Sequence, residues 1–378
     1  MLGSVETLQI GLIASPHQTS GSDRYYFELL RALRGRDQRV AGIVLGDPGT
    51  IEAAAGGVRS FAPEGSRALR RWRGLRRQVR AMVRSADVVV SHLAAHVFPA
   101  LDIIRAKPLV EHFHGPWALE GRFDRIARAR VALRFVQERS VYRRAERIVV
   151  LSRAFGDVLE REYRMPAHKL RVIPGGVDLA RFDSSTPREA ARAELGLGAD
   201  RPIVFCVRRL EPTKGIDRLI EAIDLVRVRV PDVLAVVAGT GGQAADLQRL
   251  VRERGLERHV AFAGKIDDRR LALYYRAADC SVVPSVAWEG FGLVCIESFA
   301  SGTPVMVTPV GGLPEAAGGL DPALVFASAS VADIAAGLSD ALRGRRPLPS
   351  EAACLAYAQR FAWPAIAARV AEVYREVA

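Results

Sequence analysis

Apolar runs as long as a buried β-strand alternate with amphipathic segments along the whole chain. Residues with helical spacing of apolar side chains separate these runs, for example over 66–84 and 122–144. The runs cover 8–15, 39–45, 86–92, 108–114, 147–152 and 169–174 in the first half, and 202–210, 234–241, 260–266, 280–285, 303–310 and 323–327 in the second. Apolar runs separated by helices indicate parallel strands covered on both faces. Two successive sets therefore predict two doubly wound α/β domains.

The segment between the two sets, residues 174–202, is rich in Gly, Pro, Ser and Asp and has no strand pattern. It predicts a boundary between domains of residues 1–175 and 176–361. The tail predicts a helix interrupted at Pro364, and we expect its part 362–378 to complete the first domain. In such sheets ligands bind at the carboxyl ends of the strands, so residues that follow each strand are candidates for function.

The composition argues against several classes of protein. Hydrophobic residues make up 49% and charged residues 25% of the chain, as in globular enzymes, and no apolar run reaches the roughly 18 residues of a membrane span. The amino terminus predicts a first strand rather than a signal peptide. Four scattered cysteines in apolar contexts predict core thiols in a reducing compartment. We therefore expect a cytoplasmic location, or a peripheral one on the inner face of the membrane.

Basic residues outnumber acidic ones by 54 to 42, which gives a net charge of +12 and suggests a polyanionic partner. Residues 67–84 contain eight arginines and no acid, with apolar residues at helical spacing. A surface helix that docks its apolar stripe fits this pattern, and so does a basic helix on an anionic membrane. Aromatic residues are not interleaved with the arginines on a strand platform, so we expect no nucleic acid partner.

Two loops of the second half place charged residues beside glycine. Arg208, Arg209 and Lys214 lie between a strand and a helix, where cations suit a diphosphate, although a solvated basic loop is equally compatible. Glu289 precedes a Gly-Phe-Gly turn, and Glu297 is the one charged residue from 290 to 312. A carboxylate in such an apolar run needs partners, which could be a distant arginine or the hydroxyl groups of a ligand.

These loops occur in a fixed order with VVAGTGG (236–242), VAFAGKI (260–266) and the long segment 273–315. Together they resemble family 4 of the glycosyltransferases, retaining enzymes with the GT-B architecture of two Rossmann-like domains facing across a cleft. The resemblance covers essentially the whole chain. It implies transfer of a sugar from a UDP- or GDP-sugar on the second domain to a hydroxyl group on a carbohydrate or lipid-linked acceptor on the first. Such a reaction serves polysaccharide, glycolipid or other glycoconjugate synthesis.

The resemblance also implies roles for single residues. Glu297 matches the glutamate that binds the ribose diol, and Glu289 matches the one that contacts the donor sugar. His114 matches the active-site histidine, so the implied catalytic residues are His114, Glu289, Arg209 and Lys214. The remaining donor-binding positions are Gly21, Ser22, Gly264, Lys265, Ile266, Gly290, Phe291, Gly292 and Leu293, and the acceptor positions are Trp117, Ser152 and Arg153.

One position departs from the family, which commonly has glycine where this chain has Arg208. This extra cation could pair with an acidic acceptor or face solvent, and we expect it to face solvent. The chain has no Asp-x-Asp motif and no His/Cys cluster with zinc spacing, so we expect no metal and no cofactor. Arg209, Lys214 and helix amides would then stabilise the departing diphosphate.

Four alternatives stay open on the sequence alone. A nucleotide-sugar epimerase or a phosphorylase would keep the fold and change the chemistry. A catalytically inactive subunit would keep the fold without chemistry, although the matching residues argue against it. A basic nucleic-acid-binding protein would account for the net charge of +12.

Overall fold

The computed structural model describes residues 5–14, 21–36, 38–49, 51, 56–123, 126–182 and 185–378. The chain divides into two compact units. The first unit consists of Met1–Gly176 together with Trp363–Ala378, and the second of Val177–Ala362. Among the described residues, no helix is both long enough and apolar enough to cross a bilayer.

The first unit is built on a parallel sheet of seven strands in the order β3-β2-β1-β4-β5-β6-β7. The strands are β1 (Glu6–Ala14), β2 (Arg39–Gly46), β3 (Val58–Ala62), β4 (Val88–Ser91), β5 (Leu109–Phe113), β6 (Arg147–Val150) and β7 (Leu170–Val172). The helices are α1 (Gly21–Arg34), α2 (Ala68–Met82), α3 (Ala94–Val97), α4 (Trp117–Phe123), α5 (Arg128–Arg144), α6 (Arg153–Arg161) and, from the end of the chain, α15 (Trp363–Val377). Short 3₁₀ turns cover Phe98–Ala100 and Ala167–Lys169.

One face of this sheet is covered by α1 and α15 together. Tyr25 and Leu29 of α1 pack with Trp363, Ile366 and Tyr374 of α15 in one apolar cluster with residues of β4, β5 and β6. Helix α15 is therefore part of the hydrophobic core of the first unit, although the whole second unit lies between α15 and the rest of the first unit in sequence.

The second unit has a parallel sheet of five strands in the order β10-β9-β8-β11-β12. The strands are β8 (Ile203–Val207), β9 (Leu234–Ala238), β10 (Val260–Gly264), β11 (Cys280–Val283) and β12 (Val305–Val307). The helices are α7 (Arg188–Leu195), α8 (Ile216–Val226), α9 (Ala244–Glu253), α10 (Asp268–Ala277), α11 (Leu293–Ala300), α12 (Leu313–Ala317), α13 (Val331–Leu342) and α14 (Glu351–Ala358). Short 3₁₀ turns cover Pro212–Lys214, Pro322–Leu324 and Gln359–Phe361.

The pattern-based elements differ from the structure in four places, and the first is strand β3, which lies outside the predicted runs. The strand predicted over 323–327 is a 3₁₀ turn, and only Val325 forms an isolated bridge, to Val307. The helix predicted over 122–144 is divided between α4 and α5. Pro364 lies in the first turn of α15, where proline is tolerated, so the interruption of the tail falls before it. All four cysteines are buried and unpaired, as predicted for core thiols.

Candidate active site

The two charged loops of the second unit meet at the carboxyl edge of its sheet. Strands β8 and β11 are neighbours, so the loops that follow them leave the same edge side by side. The backbone N–H of Val286 donates to the carbonyl oxygen of Thr213 over 2.9 Å. Gly215 permits this close approach, because it adopts a φ of 65° and a Cβ there would lie 2.1 Å from the carbonyl oxygen of Pro284.

Glu289 is buried where these loops meet, and its Oε1 atom accepts three hydrogen bonds. The donors are Lys214 Nζ at 2.5 Å, Ser285 Oγ at 3.0 Å, and Arg208 Nη2. Burial by itself would raise the pKa of the Glu289 carboxyl, but the two cations outweigh burial and hold the pKa below its ordinary value. Its Oε2 atom accepts no hydrogen bond from a described residue, so it can receive one from a ligand.

Lys214 and Arg209 both provide positive charge, but Lys214 is largely buried and Arg209 is exposed. Burial lowers the pKa of the Lys214 ammonium, and the neighbouring Glu289 carboxylate opposes this effect. Arg209 is exposed and close enough to lower the pKa of Lys214 further. Within the described ranges no acidic side chain pairs with Arg209. Its guanidinium can therefore bind an anion that reaches this edge.

Arg208 does not face solvent, so that expectation is wrong. Its side chain is 9% exposed, forms an ion pair with Glu289 and donates to Ser285 Oγ over 3.2 Å. The position explains the difference, because Arg208 directly follows β8 and lies beside the loop after β11. A buried carboxylate there requires a cation within reach.

The glycine-rich turn after Glu289 leads into α11. Gly292 adopts a left-handed conformation with φ of 82°, and a Cβ there would lie 2.5 Å from Leu313 Cδ2. Phe291 is buried and packs its ring 5.5 Å from that of Phe361. The first amides of an α-helix have no partner within the helix, so the start of α11 at Leu293 can bind an anion.

Glu297 lies one turn into α11 and is buried. Tyr275 of α10 donates its hydroxyl to Glu297 Oε2 over 3.4 Å. Gly264 ends β10, and Lys265 and Ile266 follow it at the same carboxyl edge, but two strands, β9 and β8, lie between β10 and β11. The structure therefore brings Arg208, Lys214 and Glu289 into contact and places 264–266 farther along the edge.

A second candidate cluster lies in the first unit and contains His114. The rings of His92, His112 and His114 are stacked, with centroids 4.5 Å apart for the first two and 5.5 Å apart for His92 and His114. His92 Nδ1 lies 3.2 Å from His114 Nε2, and His92 Nε2 lies 2.9 Å from Gln9 Oε1. His112 contacts two tyrosine hydroxyls instead, Tyr25 at 3.1 Å from Nδ1 and Tyr374 at 2.8 Å from Nε2.

Burial lowers the pKa of His114 to about 4. Burial, followed by the neighbouring histidines, holds the pKa values of His92 and His112 well below their usual range. The three rings are therefore neutral at pH 7. Neither His92 nor Gln9 belongs to a motif that predicts a site, although His92 directly follows β4 as His114 directly follows β5.

The other predicted positions of the first unit lie on helix starts. Gly21 and Ser22 begin α1, and the preceding residues 15–20 lie outside the described part of the chain. Trp117 begins α4, and the guanidinium of Arg134 lies 4.1 Å from its ring centroid. The hydroxyl of Ser152 is buried and caps α6 by accepting from the N–H of Phe155 over 3.2 Å.

Arg153, the residue after Ser152, is exposed at the first position of α6. No group of three or more His, Cys, Asp or Glu side chains that could hold a metal ion occurs among the described residues.

Comparisons with known protein families match almost the whole chain in two segments. The family described as Glycosyltransferase Family 4 matches residues 19–181. The family described as Glycosyl transferases group 1 matches residues 187–361. The two matched segments fall on the first and the second unit respectively, apart from the first residues after the boundary and the tail.

A curated relative, D-inositol 3-phosphate glycosyltransferase 2 of Catenulispora acidiphila, is 37% identical over 253 residues. The aligned region is 64% of this chain and 58% of the relative, so the chain matches little more than half the length of that protein.

Two solved structures share the fold over nearly their full length. The crystal structure of HepE from Anabaena in complex with UDP and glucose has a TM-score of 0.79 at 22% identity and covers 98% of this chain and 99% of its own. Sucrose-phosphate synthase from Thermosynechococcus elongatus has a TM-score of 0.77 at 25% identity and covers 98% of both chains. The two parallel-sheet units thus have the GT-B architecture of these proteins.

Proposed function

We propose that this chain, which belongs to family 4 of the group 1 glycosyltransferases, transfers a sugar from a nucleoside diphosphate donor to a hydroxyl group of an acceptor. The observation that carries the proposal is the buried Glu289 carboxylate, whose Oε1 atom is held by Arg208 and Lys214. Its Oε2 atom has no donor among the described residues and lies beside cations and a helix start, so it suits a sugar hydroxyl next to a diphosphate.

In this proposal the donor binds on the second unit. Glu289 Oε2 accepts from a hydroxyl of the donor sugar, and Glu297 accepts from the ribose diol. Arg209, Lys214 and the amides of Phe291 to Leu293 bind the diphosphate. The loop 264–266 contacts the base through its backbone.

The acceptor binds on the first unit, where His114 contacts the transferred sugar and Trp117 and Arg153 line the acceptor side. Gly21 and Ser22, at the start of α1, contact the diphosphate. Ser152 acts through its helix cap, because its hydroxyl is buried and already accepts from a backbone amide.

The chemistry breaks the bond between the anomeric carbon of the sugar and the oxygen of the diphosphate. The acceptor oxygen bonds to the same carbon on the same face, and its proton passes to the departing diphosphate. The configuration is retained without a dedicated protein base. Cations and helix amides stabilise the negative charge that develops on the leaving group, so we expect turnover to persist in EDTA.

The test combines ligand binding with product analysis. A thermal-shift screen against UDP-, GDP- and ADP-sugars should single out a donor, since ligand at 100 times its Kd stabilises by about 2.7 kcal/mol. With that donor, release of nucleoside diphosphate should depend on an acceptor. UDP-glucose, which is bound in another crystal structure of HepE, and D-inositol 3-phosphate, which the name of the curated relative contains, are suitable first substrates. Conversion of the sugar without release of nucleotide would indicate an epimerase, and a requirement for inorganic phosphate a phosphorylase.

Glu297→Gln tests the ribose contact separately. Hydrogen bonds from hydroxyls to a charged acceptor contribute roughly 1.5–3 kcal/mol each, so the variant should bind the nucleoside diphosphate of that donor at least tenfold more weakly by calorimetry. The exposed Glu253→Gln on α9 serves as a matched control. Equal affinity of both variants and the parent would contradict the donor-site assignment.

We also propose that α2 attaches the first unit to an anionic membrane. Leu75 and Val79 dock one side of α2 on the unit, whereas Leu69 and Trp72 stay 58% and 45% exposed. Arg76 is engaged by Asp102 and the carbonyl oxygen of Pro99. The exposed arginines of this segment are Arg67, Arg70, Arg73, Arg77, Arg80 and Arg84. Each basic residue at an anionic surface contributes roughly 1 kcal/mol, which suffices for reversible attachment.

Vesicle co-sedimentation tests the attachment. The protein should bind vesicles that contain anionic lipid, bind neutral ones weakly, and dissociate as salt is added. The triple variant Arg70→Glu, Arg73→Glu, Arg77→Glu should stay in the supernatant and retain nucleotide affinity. The control is a triple variant in which three exposed arginines of the second unit are replaced by glutamate, namely Arg229, Arg252 and Arg345. Equal binding of both triple variants would show that these arginines only solvate the helix.

A further inference from the structure

A chain of hydrogen bonds links three neighbouring strands of the first unit and ends at His114. Gln9 lies within β1, His92 directly follows β4, and His114 lies just after β5. These strands are adjacent in the sheet, in the order β1-β4-β5. Gln9 and His92 are fully buried, and the chain runs from Gln9 Oε1 to His92 Nε2 over 2.9 Å and from His92 Nδ1 to His114 Nε2 over 3.2 Å.

The first link determines the direction of the chain. The amide nitrogen of Gln9 donates to Thr7 Oγ1 over 3.1 Å, which turns its oxygen towards His92. That oxygen only accepts, so His92 Nε2 carries a proton. Across the described ranges none of the three stacked histidines is hydrogen-bonded to a carboxylate, and a buried imidazolium without such a partner is unfavourable.

The second link passes this constraint to His114. A neutral His92 with its proton on Nε2 has only a lone pair on Nδ1. His114 Nε2 must therefore donate, and the lone pair of His114 then lies on Nδ1. Among the described residues His114 Nδ1 has no hydrogen-bond partner.

We propose that Gln9 and His92 are positioning residues that hold His114 in the Nε2–H tautomer, so that its Nδ1 accepts a hydrogen bond from a hydroxyl group of the bound sugar. The inference rests on the proposed function for the identity of the ligand. In the opposite tautomer His114 would present an N–H group to that hydroxyl, and the hydroxyl would have to turn its own proton elsewhere.

His112 provides a matched comparison within the same stack. It is as buried as His92 and packs its ring 4.5 Å from that of His92, but both of its nitrogens contact tyrosine hydroxyls. A substitution of His112 therefore removes a similar volume and similar hydrogen bonds without interrupting the chain from Gln9 to His114.

The direct test is the tautomeric state of His114 by NMR. Long-range ¹H–¹⁵N correlation spectra of the full chain with labelled histidine should show a protonated Nε2 and an unprotonated Nδ1 for His114, assigned by its loss in His114→Gln. In Gln9→Met the signals of His92 and His114 should shift towards a mixture of tautomers, whereas His112→Asn should leave His114 unchanged. Protonated Nδ1 on His114 in the parent protein would overturn the proposal, whatever the activity.

Kinetics supply the second test. Loss of the outer hydrogen bond that orients a metal-ligating histidine costs roughly 10–100-fold, and we expect His92→Leu to lower kcat/KM for the donor by a similar factor. His92→Asn, whose amide oxygen takes the place of Nδ1, should recover much of it. His112→Asn should stay within about threefold of the parent, with thermal unfolding reporting on folding in each case.

The outcomes separate this inference from the function itself. Equal kcat/KM of folded His92→Leu and His112→Asn would refute the positioning role while leaving glycosyl transfer intact. A parent protein that releases no nucleoside diphosphate with any donor would refute the function, and the NMR experiment would still decide the tautomer.

Discussion

At the scale of single residues, the burial of Glu289 between two cations predicts that its charge contributes to the free energy of unfolding. The side chains of Arg208, Lys214 and Glu289 are 9%, 11% and 6% exposed. Removing the charge of Glu289 leaves two buried cations side by side, and breaking a buried pair in this way costs about 3–5 kcal/mol. Urea unfolding should therefore show Glu289→Gln destabilised by that amount, besides its loss of donor affinity.

The double variant Arg208→Met, Glu289→Gln should recover a large part of this loss, because one of the uncompensated charges is removed with its partner. Asp246→Asn serves as the control, since its pair with Arg249 is exposed at 63% and 58% and should contribute at most about 1 kcal/mol. A loss for Glu289→Gln no greater than that of Asp246→Asn would show that solvent already screens the cluster.

At the scale of elements, Glu138 connects α5 to the start of α4 and makes the free energy of unfolding depend on pH. This buried carboxyl on α5 accepts from the N–H of Ala118 over 3.1 Å at the start of α4, and from the hydroxyls of Tyr163 at 2.6 Å and Tyr142 at 3.2 Å. Burial raises the pKa of Glu138 to about 7 against these hydrogen bonds. Between its unfolded pKa near 4.5 and this value, the folded state binds more protons than the unfolded state, so stability falls as the pH rises.

Glu138→Gln should remove this contribution. The free energy of unfolding of the parent, relative to the variant, should fall by about 3 kcal/mol between pH 4.5 and roughly pH 8 and stay level above. The exposed Glu146→Gln, which follows α5, should run parallel to the parent. A constant difference between the parent and Glu138→Gln across this range would contradict a raised pKa.

Elements with continuous apolar patterns were predictable, and those that depend on tertiary contacts were not. The runs over 202–210 and 280–285 correspond to β8 and β11 because their β-branched side chains are buried on both faces. Strand β3 was not predicted, because Val58–Ala62 contains Arg and Ser and pairs with β2 at the edge of the described sheet. The run over 323–327 is as apolar as a strand, but the preceding Pro322 starts a 3₁₀ turn.

Those residues of the candidate site that belong to a motif just after a strand were predictable, whereas contacts between residues of different strands were not. Glu289, Lys214 and His114 could be proposed from local motifs. The buried position of Arg208 and the link from Gln9 through His92 to His114 depend on which strands are neighbours, because β1 and β4 are separated by some 75 residues but adjacent in the sheet. Sequence order does not determine that adjacency.

At the scale of the whole molecule, the tail should stabilise the first unit selectively. Three residues of α15 are buried against α1 and the central strands, namely Trp363, Ile366 and Tyr374. The Tyr374 hydroxyl is also hydrogen-bonded to His112 Nε2. Deletion of 363–378 should expose this apolar cluster. Hydrogen exchange should then accelerate in β4, β5 and α1 and stay slow in β8, β9 and β11.

The exposed Glu372→Ala on the same helix should leave exchange unchanged, because its side chain lies outside the apolar cluster. Uniform acceleration in both units after the deletion would show that the tail stabilises the entire protein. Unaltered exchange in the first unit would show that its core is complete without α15.

The late position of α15 has a consequence for biosynthesis. Residues up to Gly176 emerge from the ribosome long before Trp363 does. The apolar surface of α1 and the central strands is covered by α15 only after the end of the chain has emerged. The second unit, Val177–Ala362, is continuous in sequence and is fully translated first. Nascent chains should thus acquire protease resistance in the second unit before they acquire it in the first, although the first unit is translated earlier.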